Sequence, residues 1–131
     1  MHRALRITLG VLLAFLAANA LPVGALFVAV PDGSAIGMSP SMLLRGPFST
    51  FVVPGLFLFA LGAFHVVALI AVIRARPNAW RLPALAGVAV CGWIAVQVMM
   101  VALSWLQPAI FLIGCGELAL ALVWRARAAQ T

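Results

Sequence analysis

Residues 50–73 read TFVVPGLFLFALGAFHVVALIAVI, and this stretch decides the fold. It contains no Asp, Glu, Lys or Arg, and His65 is its one ionisable side chain. An α-helix rises about 1.5 Å per residue and the hydrocarbon core of a bilayer is about 30 Å thick, so a run of this length can cross it. We therefore predict a transmembrane helix over 50–73.

Three further apolar runs, 7–30, 82–103 and 109–124, have the same character. Of the 131 residues, 66% are hydrophobic and only 8% are charged, whereas soluble domains carry about 25% charged residues. So few charges cannot keep the surface in water, and the lipid bilayer must be the surrounding medium. We predict one domain, an all-α integral membrane protein built as a four-transmembrane-helix bundle.

The first run also resembles a secretory leader, because a basic start and an apolar stretch precede the triplet Ala18-Asn19-Ala20. The apolar run continues beyond this triplet to Val30, which gives it the length of a membrane span. We expect it to be retained as the first transmembrane helix.

The arginines predict the orientation of the four spans. One side of the membrane holds both termini and the 74–81 loop, and these segments carry seven of the eight arginines: Arg3, Arg6, Arg74, Arg76, Arg81, Arg125 and Arg127. Only Arg45 falls on the opposite side. Short cytoplasmic loops are rich in Lys and Arg, so we expect both termini in the cytoplasm. Arginines scattered between apolar runs form no basic soluble face, and we expect no nucleic acid partner.

The outer loop, 31–49, is the one sizeable segment outside the spans. It opens with Pro31-Asp32-Gly33-Ser34, a turn signal. Residues 39–46 predict a short extracytoplasmic loop helix, because Ser39 can cap it, Pro40 suits its first position and Gly46 suits its exit. Asp32 and Arg45 are the two charges on this side, and we expect them to pair.

Polar residues inside the spans are candidates for function, because they are costly in hydrocarbon. Counted in residues along their predicted helices, Glu117 and Asn19 lie at similar depths near the membrane midplane, and Gln97 lies nearer the outer surface. If the first, third and fourth helices meet, these three side chains form an intramembrane polar cluster. We expect hydrocarbon to favour an uncharged Glu117. It then either relays protons in a transporter or hydrogen-bonds a neighbouring helix and fixes packing, the reading we favour here.

His65 is a secondary candidate, placed by counting in the cytoplasmic part of the second span. A haem site would want a second axial ligand, and the other histidine, His2, lies outside the bilayer. We expect His65 to reach the inner interface. Cys91 and Cys115 lack the CxxC spacing of thiol–disulfide motifs and zinc sites, and we interpret them as small buried hydrophobes. We predict no metal site and no cofactor.

The stretch Pro31-Asp32-Gly33-Ser34, Ile36-Gly37-Met38, Pro47-Phe48 and Pro54-Gly55 resembles a recurring group of small, uncharacterised four-span bacterial membrane proteins. The resemblance covers the outer loop and the start of the second span. It implies a bacterial inner membrane and transfers no functional residue. Small drug–proton antiporters are less similar, because their essential acid lies in the first helix, which here has none.

Two functions remain from the sequence. The first, which we favour at this point, is a structural or accessory subunit that acts through helix-packing surfaces in a larger membrane assembly or a homo-oligomer. Gly10, Ala14 and Ala18 form a small-residue stripe that could pack within the bundle or between protomers. The alternative is a small oligomeric proton-coupled transporter or channel that uses Glu117. An enzyme is the weakest hypothesis, because few reactive side chains are present.

Overall fold

The protein is all-helical in the computed structural model, which describes residues 2–43, 46–101 and 103–130. Four long helices follow one another: α1 (His2–Ala29), α2 (Val52–Arg74), α3 (Arg81–Met100) and α4 (Leu106–Ala128). Two short 3-10 helices, Ser34–Ile36 and Pro40–Met42, lie between α1 and α2. Within the described ranges there is no strand, and Leu43 and Val101 form an isolated β-bridge. The predicted all-α fold with four long helices is confirmed.

Each of the four helices is long and apolar enough to cross a membrane. A helix satisfies its own backbone hydrogen bonds, which hydrocarbon cannot do, and this explains why apolar runs of such length become helical in a bilayer. The observed helices differ from the predicted spans mainly at the charged ends. α1 begins at His2 and α4 continues to Ala128, so arginines that flank the apolar runs extend the helices by further turns.

The first helical hairpin is formed by α1 and α2, which pack closely along their length. Gly24 and Gly55 make this approach possible. A Cβ atom on Gly24 would lie 2.6 Å from the backbone nitrogen of Phe59, and one on Gly55 would lie 2.6 Å from the Cβ of Phe27. Small residues at such crossings let helix backbones meet in a membrane.

The second hairpin, α3 and α4, uses the same device. A Cβ atom on Gly87 would lie 2.7 Å from the carbonyl oxygen of Gly114. Contacts between the hairpins, from α2 to α3 and from α1 to α4, are much less extensive than contacts within them. The bundle is therefore two tight hairpins joined along a looser interface.

We call the end of the bundle that contains residues 2–6, 72–82 and 124–130 the arginine end. All four helices contribute to a closely packed core there. Its fully or nearly fully buried members are Leu5, Leu9, Leu13, Ala68, Val72, Ala79, Ala86 and Trp124. The helix ends and the loop between α2 and α3, which together carry seven arginines, thus surround one apolar core.

Three arginines make defined contacts at this end, and one of them, Arg81, lies 5.8 Å from the ring centroid of the adjacent Trp80. The Arg6 guanidinium donates to the carbonyl oxygens of Val72 (3.3 Å) and Ile73 (3.0 Å), the last turn of α2. The Arg125 guanidinium lies 5.1 Å from the ring centroid of Trp80, within cation–π range. These contacts connect α1 to α2, and α4 to the start of α3.

The opposite end of the bundle, residues 26–56 and 97–109 where described, is called the loop end. Ser39 caps the second short helix by accepting from the Ser41 N–H (3.4 Å), and Pro40 occupies its first position, as predicted. The helix ends at Met42 and is shorter than expected. Ser34–Ile36 was not predicted.

Asp32 organises the start of this loop by accepting from the backbone N–H of Ser34 at 2.9 Å. The Ser34 hydroxyl, followed by that backbone N–H, lowers the pKa of the Asp32 carboxyl. The predicted partner, Arg45, lies outside the described residues.

Candidate functional site

His65 of α2 and Glu117 of α4 meet in the interior of the bundle. The His65 Nε2 lies 3.1 Å from the Glu117 Oε2, and both residues are fully buried. α2 and α4 belong to different hairpins, so this contact crosses the looser interface. A buried pair of ionisable side chains is rare inside a membrane span and is commonly functional.

The hydrogen bonds of His65 define how many protons the pair holds. Its Nδ1 lies 2.8 Å from the carbonyl oxygen of Leu61, and a carbonyl can only accept, so Nδ1 carries a proton. The contact between Nε2 and Oε2 then needs one further proton, on either atom. The pair is an ion pair if His65 holds that proton and a neutral pair if Glu117 holds it, and its net charge is zero in both cases.

The second carboxyl oxygen of Glu117 stands apart. Oε1 is buried and has no hydrogen-bond partner among the described residues. Buried polar atoms are nearly always hydrogen-bonded, and leaving one unpaired costs about 1–3 kcal/mol. Glu117 therefore keeps one acceptor position free for an additional donor.

A cavity of about 510 Å³ extends from His65 toward the loop end. All four helices and both short 3-10 helices contribute to its wall. The lining is mainly apolar, and its polar members are Asn19, His65, Gln97, Ser104 and Gln107. His65 belongs to this lining and Glu117 does not, so Glu117 lies behind the histidine. The apolar core of the arginine end lies beyond the pair.

The predicted cluster of Glu117, Asn19 and Gln97 is thus divided between two places. Asn19 and Gln97 line the cavity, from α1 and α3 respectively. The Asn19 Nδ2 donates to the carbonyl oxygen of Phe15 in its own helix, at 2.7 Å. Glu117 contacts His65 instead, so the two candidates that the sequence treated separately form one site.

His65 does not reach the inner interface, which corrects the expectation from its sequence position. It lies near the middle of α2 (Val52–Arg74), is fully buried and faces α4. Glu117 lies near the middle of α4 (Leu106–Ala128). The expectation assumed that a lone histidine would be satisfied by water, and it did not consider a carboxyl partner at the same depth.

Two site residues were missed by the sequence reading. Trp93 lines the cavity from α3, and its indole Nε1 is buried without a hydrogen-bond partner within the part of the chain that is described. Gln107 is 5% exposed, and its Oε1 accepts from the Ser104 N–H at 3.1 Å. A signal for Trp93 was present, since tryptophans in membrane proteins concentrate at the two interfaces and Trp93 lies well inside α3.

The two cysteines are neighbours across the second hairpin. The Sγ atoms of Cys91 and Cys115 lie 3.8 Å apart, both are free thiols, and both are partly rather than fully buried. No group of three or more His, Cys, Asp or Glu side chains that could hold a metal ion occurs among the described residues.

Comparisons with family models, with curated proteins and with solved structures found no match for this chain. The function therefore has to be argued from the site itself.

Proposed function

We propose that this chain is a small proton-coupled transporter in which the His65–Glu117 pair is the proton site. The observation that carries the proposal is the position of the pair, with His65 in the wall of the loop-end cavity and Glu117 directly behind it. Glu117 faces the interior of its own bundle, so the transport unit can be a single chain, and assembly around Glu117 is not required.

The charge of the pair couples a change in its protonation to a rearrangement of the helices. A second proton would leave an imidazolium beside a neutral carboxyl, with net charge +1, and loss of the shared proton would leave −1. Among the described residues that line the cavity there is no Asp, Glu or Arg, so either charge would lack a counter-charge from them in an apolar environment, which is costly. A change in protonation therefore favours a rearrangement, and the weaker interface between the hairpins is where α2 and α4 can separate.

Access would alternate between the two ends of the bundle. The loop end contains the cavity, and the arginine end is closed by the core around Leu9 and Trp124. Secondary transporters often alternate access by rocking one bundle of helices against another around a central site, and the two hairpins could move in this way. Separation of the hairpins at the arginine end would expose the pair to the other side.

The proposal includes a location and an orientation. We place the chain in a bacterial inner membrane as a multi-pass protein, with both termini and the arginine end in the cytoplasm. The support is the excess of arginines at that end and the resemblance of the outer loop to small bacterial membrane proteins. The cavity would then face the extracytoplasmic side. Cysteine-accessibility labelling of the variants His2→Cys and Ser34→Cys would test this. Only Ser34→Cys should react with a reagent added outside whole cells.

A flux assay tests the transporter. The purified protein is placed in liposomes of total bacterial lipid extract with an entrapped pH dye, and an inside-negative potassium diffusion potential drives proton entry. We expect entry faster than in empty liposomes, and we expect Glu117→Gln and His65→Gln to remove the excess. The chain has one other acid and one other histidine, so Asp32→Asn and His2→Gln are matched controls that keep it. Equal flux in wild type, empty liposomes and Glu117→Gln would refute the proposal.

A second function, the accessory subunit or homo-oligomer, is favoured by one separate observation. Ala14 and Ala18 are exposed on the outside of the bundle, and Gly10 lies on the same stripe of α1. Ala14 and Ala18 are thus available to a neighbouring helix. Gly10 lies beside Leu69 of α2, and Ala17 and Gly24 are buried within the bundle. In this reading the His65–Glu117 contact holds the two hairpins together.

Affinity purification in mild detergent separates this function from the first. An accessory subunit would bring down partner subunits in fixed proportion, or a second copy of itself, and Ala14→Leu would reduce their recovery. Val67→Leu, at a lipid-exposed position of α2, is the control and should leave recovery unchanged. A monomeric protein without partners would exclude the accessory function.

A further inference from the structure

We infer that the loop-end cavity binds one neutral, single-tailed amphiphile whose head carries a carbonyl oxygen. The inference deepens the proposed function, because it names the class of molecule that the transporter would take. Binding itself is independent of proton movement, so it can be measured without any gradient.

The size and lining of the cavity define the body of the ligand. A volume of about 510 Å³ lies within the range of sites that enclose a small molecule, roughly 300–1,000 Å³. Phe27 and Phe51 stack with centroids 4.7 Å apart and both line the cavity. Such a wall suits a flat ring or one hydrocarbon chain.

Among the described lining residues there is no Asp, Glu or Arg, and the His65–Glu117 pair has no net charge, which favours a neutral head. An anionic or cationic head would enter without a counter-ion, at the cost that unpaired charges carry in an apolar site. The polar lining groups are instead amides, hydroxyls and the histidine, which suit a head that forms hydrogen bonds without carrying a charge.

The tryptophan defines the head as a hydrogen-bond acceptor. The Trp93 Nε1 can only donate, and it is buried without an acceptor among the described residues. Gln97 follows four residues later on the same face of α3, and it also lines the cavity. If the Trp93 side chain turned its N–H toward the cavity, a carbonyl oxygen there would accept from the indole N–H and from the Gln97 amide. It would thereby satisfy a group that the protein itself leaves unpaired.

The loop between α1 and α2 forms part of the cavity wall at the loop end. Met38 and Met42 line the cavity from the loop, and methionine adapts its shape to irregular apolar guests. The backbone bridge between Leu43 and Val101 attaches this loop to the end of α3. The ligand would then lie with its tail among apolar side chains and its head near Trp93.

Native mass spectrometry of the full chain, released from nanodiscs after incubation with defined probes, tests this inference. The two carbonyl probes are a benzoquinone with a decyl tail and a monoacylglycerol. Binding of the first would indicate a quinone as the natural ligand, and binding of the second a glyceride. Decylbenzene lacks the oxygen and dodecyl phosphate carries a charge. We expect one carbonyl probe to bind with one copy per chain. Decylbenzene should bind about five-fold more weakly, the effect of one hydrogen bond, and dodecyl phosphate should bind more weakly because its charge would be unpaired.

Two variants make the result specific. Trp93→Phe removes the indole N–H and should weaken binding of the carbonyl probe about five-fold. Binding of decylbenzene should not change. Trp105→Phe is the matched control, because Trp105 is 79% exposed and does not line the cavity. Val23→Phe, at a cavity-lining position of α1, should fill the space and prevent binding, and its thermal unfolding midpoint verifies that it is folded.

The outcomes are separable from those of the flux assay. Binding of decylbenzene as tight as that of the carbonyl probes, or unchanged binding in Trp93→Phe, would overturn the assignment of the head. No binding of either carbonyl probe would overturn the whole inference, even if proton flux through Glu117 were present. Binding without any flux would support the ligand class and refute the transporter.

Discussion

The two ends of the bundle are built from the same four helices but differ in packing. At the arginine end, large aliphatic side chains and Trp124 fill the space between all four helices. Toward the loop end, the helices leave an open cavity of about 510 Å³, although Gly24 and Gly55 bring α1 and α2 together nearby. The His65–Glu117 pair lies at the boundary. The difference indicates that the arginine end holds the hairpins together and that the loop end is free to accept a guest.

The largest expected change in the free energy of unfolding comes from substitutions in the His65–Glu117 pair. Glu117→Leu leaves the Nε2 of His65 buried without its partner, and removal of one member of such a pair costs about 3–5 kcal/mol. The double variant His65→Leu/Glu117→Leu should recover much of this loss, because no polar group is left unpaired. Unfolding by SDS titration, followed by circular dichroism, compares the wild type, the single variants Glu117→Leu and His65→Leu, and the double variant. A double variant as unstable as the sum of the two single variants would show that the pair does not act as a unit.

The next effect contrasts the two ends directly. Leu9 is fully buried in the arginine-end core, so Leu9→Ala should destabilise the bundle by about 2–4 kcal/mol through lost packing. Leu58 lines the cavity and is only partly buried, so Leu58→Ala should cost less than about 1 kcal/mol. Thermal unfolding in one detergent compares the two. Equal losses would contradict the division of the bundle into a packed end and an open end.

A smaller effect concerns the second hairpin alone. The Cys91 and Cys115 sulfurs lie 3.8 Å apart, so modest movement brings them to bonding distance. Diamide should take two hydrogens from the two thiols and leave one intrachain disulfide, seen as a loss of two hydrogens in intact mass. Cys91→Ser is the control, and it should give no such product. Because both cysteines belong to one hairpin, ligand binding at the cavity should persist after oxidation.

The smallest effect is at the start of the loop. The pKa of Asp32 is lowered from 3.8 by its hydrogen bonds from Ser34, so its contribution to loop order is present above about pH 4 and is lost as pH falls through the lowered value. Amide hydrogen exchange at Ser34 reports this order. Asp32→Ala should speed the exchange at neutral pH, whereas Asp32→Asn keeps an acceptor oxygen and should protect the amide. Identical exchange in both variants would rule out a role for this turn.

The sequence predicts the helical architecture because a bilayer leaves few alternatives. Uninterrupted apolar length defines α1 to α4, and Ser39 with Pro40 identifies the short helix in the loop. The helix ends are less predictable, since Arg125 and Arg127 continue α4 beyond the apolar run.

The site was predictable in its members more than in its arrangement. Glu117 and His65 are identified by their cost in hydrocarbon, but depth along a helix does not say which neighbouring helix a side chain faces. Their contact depends on how the two hairpins rotate against each other. The cavity is still less accessible from sequence, because it arises where four packing surfaces fail to meet.

Arg6 has a consequence for how the chain enters the membrane. It donates to two consecutive carbonyls, of Val72 and Ile73, a geometry that a planar guanidinium matches and a lysine ammonium does not. One side chain of α1 thus binds the last turn of α2. In the orientation proposed above, the positive charge of Arg6 would also favour a cytoplasmic amino terminus during insertion, before α2 is in place.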